Sequence, residues 1–113
     1  QNRFQDVVRR CMMDELPHHE PTIAAVAAKL HMSPRSLQRR LQSEDSSFAQ
    51  VLFELRRDLA LRYLRDDRIA TGEVGFLLGF LDVASFQRAF KRWTGTTPAQ
   101  YRRSAREHSS PTQ

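Results

Sequence analysis

The chain of 113 residues contains one cysteine, four glycines, five prolines and no hydrophobic run long enough to cross a bilayer. A single cysteine cannot form an intramolecular disulfide, and it fits a protein of a reducing cytoplasm. The scarcity of glycine and proline, and of β-branched residues outside short runs, favours helices over a sheet. The amino end also lacks the pattern of a signal peptide. With 40% hydrophobic and 27% charged residues, the composition indicates a globular domain rather than a disordered one.

The positive charge is unevenly distributed along the chain, and one basic segment contains no acidic residue. The net charge of +5 lies in residues 33–113, because four basic and four acidic side chains cancel in residues 1–32. Arginine outnumbers lysine sixteen to two, and its planar guanidinium suits phosphates and guanine edges. Charge alone fits a solvated surface or another acidic partner as well as it fits a nucleic acid. The acid-free segment 86–106 contains Arg88, Lys91, Arg92, Arg102, Arg103 and Arg106.

Apolar periodicity, capping residues and prolines predict an all-α chain with no strand. Pro17 ends the first helix. Ser33-Pro34 and Thr97-Pro98 each combine an N-cap with a proline at the first helical position, and Gly95 ends the helix before it. The seven predicted helices cover residues 3–16, 23–30, 34–43, 48–66, 71–78, 83–93 and 98–106.

The chain also contains an internal near-repeat. Ala27 is followed four positions later by the turn residue His31, and Gly75 is followed four positions later by Gly79. A small residue allows two crossing helices to approach closely. Each copy continues into a helix with Gln-Arg on its predicted exposed face, and the second copy is one residue longer after its turn. The repeat predicts two helix-turn-helix subdomains, residues 1–46 and 67–113, joined by a linker helix at 47–66.

The predicted linker helix has a length that suits DNA. About 20 residues rise roughly 30 Å along a helix, and successive major grooves on one face of B-DNA lie about 34 Å apart. One chain could therefore place two recognition helices in adjacent grooves without forming a dimer.

A long motif runs from Gly79 to Arg102 and reads G-F … F-x-R-x-F-K-R-x-x-G-x-x-P-x-x-Y-R, with shorter matches at 32–41 and 55–60. These runs resemble the AraC/XylS family of bacterial transcription regulators over residues 22–103. The resemblance implies a homeodomain-like fold, promoter DNA and RNA polymerase as partners, and a preceding effector-sensing or dimerising domain. The chain begins without methionine and ends in Ser-Ser-Pro-Thr-Gln. We therefore expect a monomeric fragment of a regulator that dimerises through a missing N-terminal domain.

Two recognition helices, residues 34–43 and 83–93, carry the residues expected to contact DNA. Arginine can fork onto guanine, glutamine can pair with adenine, and small apolar side chains can touch a thymine methyl. We expect base contacts from Arg35, Ser36, Arg39, Val83, Ala84, Gln87 and Arg88. We expect phosphate contacts from Gln38, Arg40, Lys91, Arg92, Arg102 and Arg103, and from backbone N–H groups at the helix starts marked by Ser33 and Asp82.

Some of these residues have alternative structural roles. Arg88 could pair with Asp82 or Glu73 inside the domain. The small residues Val83 and Ala84 could also indicate a unit that only holds the DNA backbone. Arginines in and after the linker helix have acidic residues at helical spacing, which predicts surface ion pairs. These arginines are Arg56, Arg57, Arg62, Arg65 and Arg68.

Three positions depart from the usual pattern of the family. His31 stands where glycine is common, which predicts a strained first turn. Residues 44–47 lack the glycine often found after the first recognition helix. Gly75 replaces the usual alanine, and we expect it to loosen the second unit by about 0.5–1 kcal/mol.

Catalytic and metal-binding patterns do not stand out in the sequence. No Ser/His/Asp constellation, phosphate loop or paired-carboxylate cleft is recognisable, and His18-His19 lacks further ligands at zinc-site spacing. The sequence predicts a DNA-binding domain that is not an enzyme and uses no cofactor, metal or membrane. The alternatives are a helical module that binds an acidic protein and a nonspecific DNA-coating protein. Sequence preference at fixed salt concentration separates these three functions.

Overall fold

Residues 3–109 are described in the computed structural model, and they form seven helices and no strand. The all-α prediction is therefore confirmed, and the predicted helix ends differ from the observed ones by at most three residues. The helices are α1 (Phe4–Glu15), α2 (Ile23–Lys29), α3 (Pro34–Gln42), α4 (Phe48–Leu64), α5 (Thr71–Leu77), α6 (Val83–Thr94) and α7 (Pro98–Ser109).

The chain divides into two compact units, residues 1–56 (unit 1) and 57–113 (unit 2), and the division falls within α4. The predicted three-part division at residues 46 and 67 stays a prediction. Its outer segments include residues 1, 2 and 110–113, which lie outside the described residues.

Side-chain caps fix where five of the helices begin. In each case a side-chain oxygen accepts a hydrogen bond from the backbone N–H three residues later, which satisfies a donor that a helix start leaves free. At α7, the side chain of Gln100 also accepts from the backbone N–H of Thr97 at 3.0 Å, which completes a capping box. The capping residues are Thr22, Ser33, Ser47, Asp82 and Thr97.

The turns of the two units have the same backbone hydrogen bonds. The N–H group five residues later donates to the carbonyl of Ala27 at 2.9 Å in unit 1, and to that of Gly75 at 3.0 Å in unit 2. The turn residues His31 and Gly79 have positive φ angles of 57° and 88°. Left-handed backbone costs a residue other than glycine about 1–2 kcal/mol. The structure thus confirms the internal repeat and the strained first turn.

Gly75 is a point of close packing between α5 and α6, and the expectation that it loosens unit 2 is wrong. A Cβ atom at this position would lie 2.7 Å from Cβ and 2.9 Å from Cγ of Phe86, well inside the usual separation of nonbonded carbons. Phe86 is fully buried, and its Cβ cannot move without its backbone. Glycine therefore permits the packing of α6 on α5, whereas alanine would displace α6.

We expect Gly75→Ala to lower the free energy of unfolding of unit 2 by up to about 2.5 kcal/mol, because overpacking costs about 1–3 kcal/mol and helical alanine returns only about 0.5–1. Gly72→Ala is the matched control in the same helix, where an added Cβ meets only Val83 Cγ2 at 3.9 Å. That variant should gain about 0.5–1 kcal/mol. Urea unfolding followed by the fluorescence of Trp93, the single tryptophan, measures both. Equal stabilisation by the two variants would contradict the close contact.

Aromatic rings hold α6 in place within unit 2. Phe90 lies at the centre of this cluster, fully buried, with ring centroids of its neighbours 5.8 to 6.3 Å away. These separations are typical of tilted and edge-to-face aromatic pairs, which add to the stability gained from burial. The cluster consists of Phe80, Phe86, Phe90, Trp93 and Tyr101.

A carboxylate two residues beyond the end of α3 accepts hydrogen bonds from the start of α1 in unit 1. Arg3 provides no side-chain cap. Instead, Glu44 accepts from the backbone N–H of Phe4 at 2.8 Å and of Gln5 at 3.0 Å. Because these bonds favour the charged form, they lower the pKa of Glu44 below its ordinary value. The guanidinium of Arg40 also lies over the Phe4 ring, 4.1 Å from its centroid, so two contacts attach α1 to α3.

Candidate nucleic-acid interface

The helix α3 presents one polar face and buries the other. Leu37 and Leu41 are completely buried. A shallow groove of about 430 Å³ on the polar face is lined by Ser36, Arg39, Arg40 and Ser43. Such a groove offers hydroxyl and guanidinium donors together, which suits the acceptor-rich edge of a base pair or a phosphate. The five exposed side chains predicted to contact DNA on this helix are Arg35, Ser36, Gln38, Arg39 and Arg40.

The helix α6 of unit 2 likewise has one buried face and one exposed face. Phe86, Ala89 and Phe90 are buried against the rest of the unit. The opposite face combines two small apolar residues near its start with polar and cationic residues further along. The exposed residues of this face are Val83, Ala84, Gln87, Arg88, Lys91 and Arg92.

Arg88 forms no ion pair in the described part of the chain. Within residues 3–107, no ion pair within 4.0 Å joins it to Asp82 or Glu73. Asp82 instead accepts a hydrogen bond from the backbone N–H of Ser85 at 2.7 Å. That bond is the main reason why the pKa of Asp82 lies below its ordinary value, with a smaller contribution from the charge of Arg88. The alternative of an internal Arg88 ion pair is therefore not realised.

The N-cap side chains of α3 and α6 form hydrogen bonds within the helices that they start. Ser33 and Asp82 bind the backbone N–H groups of Ser36 and Ser85, so those two groups are not free for phosphate. The predicted contacts through helix starts must then come from the N–H groups of the preceding helical residues. Proline at position 34 has none, which leaves one such group on α3 and two on α6.

Arg102 was expected to contact phosphate, and the structure contradicts this. The residue is only 8% exposed. Its Nε donates to Leu64 O at 2.8 Å, and its Nη2 donates to Ile69 O at 2.6 Å and Asp66 O at 3.1 Å. A further, longer bond at 3.4 Å reaches Tyr63 O. The guanidinium therefore satisfies the Leu64 carbonyl at the end of α4 and the Ile69 carbonyl before α5. It adds a second bond to the Tyr63 and Asp66 carbonyls, which already accept from the backbone N–H groups of Asp66 and Ile69. The helix dipole at the end of α4 also favours a cation there.

Several other arginines are engaged in surface ion pairs. Arg57 lies 3.5 Å from Asp58 and Arg68 lies 2.9 Å from Asp66. These two arginines form surface ion pairs as predicted, but with acidic residues one and two positions away and not at helical spacing. The bonds from Arg68 lower the pKa of Asp66 to about 2. Arg56 lies 3.7 Å from a different acid, Glu20. Arg106, for which no ion pair was predicted, lies 2.9 Å from Asp67. Two cations of the acid-free segment, Arg102 and Arg106, are therefore engaged within the chain.

Two predicted pairs are absent from the described part of the chain. Arg62 and Arg65 have no acidic partner within 4.0 Å there. The same holds for Lys91, Arg92 and Arg103, all of which are exposed. Their charge is therefore not neutralised by the fold.

Sequence reasoning missed one exposed apolar residue beside α6. Leu81 is 92% exposed, and it lies between the turn and Asp82. It is the extra residue that makes the second copy of the repeat longer. The count of residues indicated an insertion, but only the structure reveals that the inserted side chain points to solvent.

The described residues form neither a metal site nor a membrane span. Among residues 3–107, no group of three or more His, Cys, Asp or Glu side chains is arranged to hold a metal ion. None of the helices described above combines the length and hydrophobicity that spanning a bilayer requires.

Two turn-linked helix pairs, each with an exposed cationic second helix, define a double helix-turn-helix domain. Residues 26–104 match the family model described as "Helix-turn-helix domain". The chain belongs to the AraC/XylS family, as the motif at 79–102 predicted. This is a family of DNA-binding transcription regulators and not of enzymes.

Curated relatives agree with this assignment. The ornithine utilization regulator of Pseudomonas aeruginosa is 42% identical over 95 residues, which are 84% of this chain and 28% of that protein. The regulator VqsM of the same species is 32% identical over 92 residues, which are 81% of this chain and 28% of that protein. The chain thus spans about a quarter of the length of the curated relatives it matches.

Solved structures share the fold over nearly the whole chain. A DNA-binding transcriptional dual regulator from Escherichia coli K-12 has a TM-score of 0.86 at 28% identity, covering 95% of this chain and 96% of that one. The DNA-binding domain of AdpA, solved in complex with a target DNA, has a TM-score of 0.78 at 27% identity and covers all of both chains.

Proposed function

We propose that the chain binds double-stranded promoter DNA with sequence preference, and that α3 and α6 each enter a major groove. The observation that carries this proposal is that the exposed cations of both helices are not neutralised by the fold. Arg88, Lys91 and Arg92 have no ion pair within 4.0 Å among residues 3–107, and Arg39 likewise has none. The AdpA domain, which binds its own target DNA with the same fold, supports the same class of ligand.

The two helices have different chemistry, and we assign different bases to them. On α3, Arg35, Ser36 and Arg39 offer hydrogen-bond donors suited to guanine O6 and N7. On α6, Val83 and Ala84 offer apolar contacts suited to thymine methyl groups, while Gln87 suits adenine and Arg88 suits guanine. The residues assigned to phosphate are Gln38, Arg40, Lys91, Arg92 and Arg103, together with the helix starts at Ser33 and Asp82.

For the complete regulator, we propose a cytoplasmic protein that contacts RNA polymerase and dimerises through a domain outside this chain. The present chain would bind DNA as a monomer, because it carries two recognition helices of its own.

Selection of bound sequences from random duplex DNA at near-physiological salt tests the proposal. We expect an enriched motif with two blocks, one for each recognition helix. One enriched block would mean that the other unit only holds the backbone. Binding without enrichment that weakens smoothly as salt rises would contradict sequence preference and indicate a nonspecific coating protein. Absence of DNA binding would indicate a module for an acidic protein partner.

A further inference from the structure

Leu81 is an insertion that distinguishes the two helix-turn-helix units. In unit 1 the N-cap Ser33 directly follows Met32, whereas in unit 2 one residue separates Phe80 from the N-cap Asp82. The hydrogen bonds of the turn and the cap are the same in both units. The fold therefore absorbs the extra residue without changing its turn, and it does so by directing Leu81 into solvent at 92% exposure.

Exposed large apolar side chains are concentrated around this insertion. Of the four such residues in the described part of the chain, three fall between positions 76 and 83, namely Phe76, Leu81 and Val83. Ala84 follows and is also exposed. Leu81, Val83 and Ala84 thus form an apolar segment around Asp82, at the amino-terminal end of α6. In helix-turn-helix proteins this end of the recognition helix is the one that contacts base edges.

We infer that Leu81 is a further base-reading residue, and that it contacts a thymine methyl group next to those reached by Val83 and Ala84. The inference rests on the proposed function. DNA is favoured over an apolar protein partner because Arg88, Lys91 and Arg92 are exposed on the same helix and attract a polyanion. The thymine C5-methyl is the one apolar group that DNA displays in the major groove.

The inference predicts an operator with two chemically unlike halves. The half read by α3 contains guanines, because Arg35 and Arg39 present guanidinium groups there. The half read by α6 contains thymines at two or more neighbouring positions, because its leading end is apolar. The inserted residue in unit 2 therefore extends the α6 half-site by one position relative to what the repeat in unit 1 would read.

Uracil substitution tests this directly, because deoxyuridine lacks only the C5-methyl of thymidine. Each thymine of the selected operator is replaced singly, and the affinity of the protein is measured by fluorescence anisotropy. We expect a loss of about threefold to fivefold at the thymine that Leu81 contacts. The variant Leu81→Ser should bind the unmodified operator more weakly by a similar factor. Uracil at the thymine that Leu81 contacts should then cause no further loss of affinity in this variant. Met13→Ser, at an exposed apolar residue of α1, is the matched control and should keep the full uracil penalty.

The outcomes separate this inference from the proposed function. The half-site of α3 is identified as the block whose selection is relaxed by Arg39→Ala. If Leu81→Ser keeps every uracil penalty of the unchanged protein, Leu81 does not contact a thymine methyl and the inference is overturned, while the proposed function stands. If no sequence is enriched at all, both fail together. Thermal unfolding of Leu81→Ser should match that of the unchanged protein, since the side chain packs against nothing that its loss would expose.

Discussion

Replacement of Arg102 by alanine is expected to lower the free energy of unfolding of unit 2 by about 3 kcal/mol or more. Hydrogen bonds to a charged group contribute about 1.5–3 kcal/mol each, and buried acceptors left without a donor lose their solvation as well. The guanidinium has three bonds of 3.1 Å or shorter, to the carbonyls of Leu64, Asp66 and Ile69. Urea unfolding followed by Trp93 fluorescence measures the loss, because this single tryptophan belongs to unit 2.

Arg103→Ala is the matched control, because the neighbouring arginine is exposed. It should change stability by no more than about 0.5 kcal/mol and should weaken DNA binding through a lost phosphate contact. Arg102→Lys should recover little stability, since one ammonium group cannot replace a planar fork that spans several carbonyls. A reduced salt dependence of DNA binding without a loss of stability in Arg102→Ala would instead support a phosphate contact.

Replacement of Arg39 by alanine is expected to weaken binding to the selected operator by about tenfold to a hundredfold, since a bidentate arginine–guanine contact discriminates by about 1–3 kcal/mol. Arg39 is exposed on α3 and lines the groove on its polar face. Removing its side chain exposes no core. The variant should also lose selection at one base pair, which a repeat of the random-duplex selection would measure. An unchanged preference profile would contradict the assignment of Arg39 to a base.

Lys91→Ala provides the contrast for Arg39→Ala. Lys91 is exposed further along α6, and a lysine acts on phosphate as a point charge. This variant should weaken binding to all sequences alike and reduce the salt slope by about one unit. A loss confined to the selected operator would mean that Lys91 contacts a base.

Local signals in the sequence were sufficient to predict the seven helices and most of the exposed residues of α3 and α6. Ser33, Asp82 and Thr97 act on backbone N–H groups three residues away, so their effect depends only on neighbouring residues. The same is true of the repeat, because a small residue and a turn residue four positions apart have a fixed geometry. Periodicity also separated the buried Leu37 and Phe86 from the side chains expected to face DNA.

The missed features depend on contacts between residues far apart in sequence. Arg102 binds carbonyls 33 to 39 residues earlier, and Glu44 holds a helix start 39 and 40 residues earlier. Charge alone does not distinguish Arg102 from its exposed neighbour Arg103, since both lie in the same acid-free segment. Whether alanine at position 75 stabilises or destabilises unit 2 likewise depends on the distance to Phe86. Helix propensity carries no information about that distance.

The two recognition helices differ in the residues that hold their ends. His31 and Asp45 lie on either side of α3 at φ angles of 57° and 58°, whereas glycines 79 and 95 occupy the left-handed positions around α6. A residue other than glycine gives up this strain when its segment opens locally. We therefore expect local opening to cost less free energy at the ends of α3 than at those of α6, and the amide hydrogens of α3 to exchange with solvent sooner. If α3 and α6 bind DNA as proposed, we expect α3 to be the helix that adjusts to an imperfect operator, while α6 keeps its conformation.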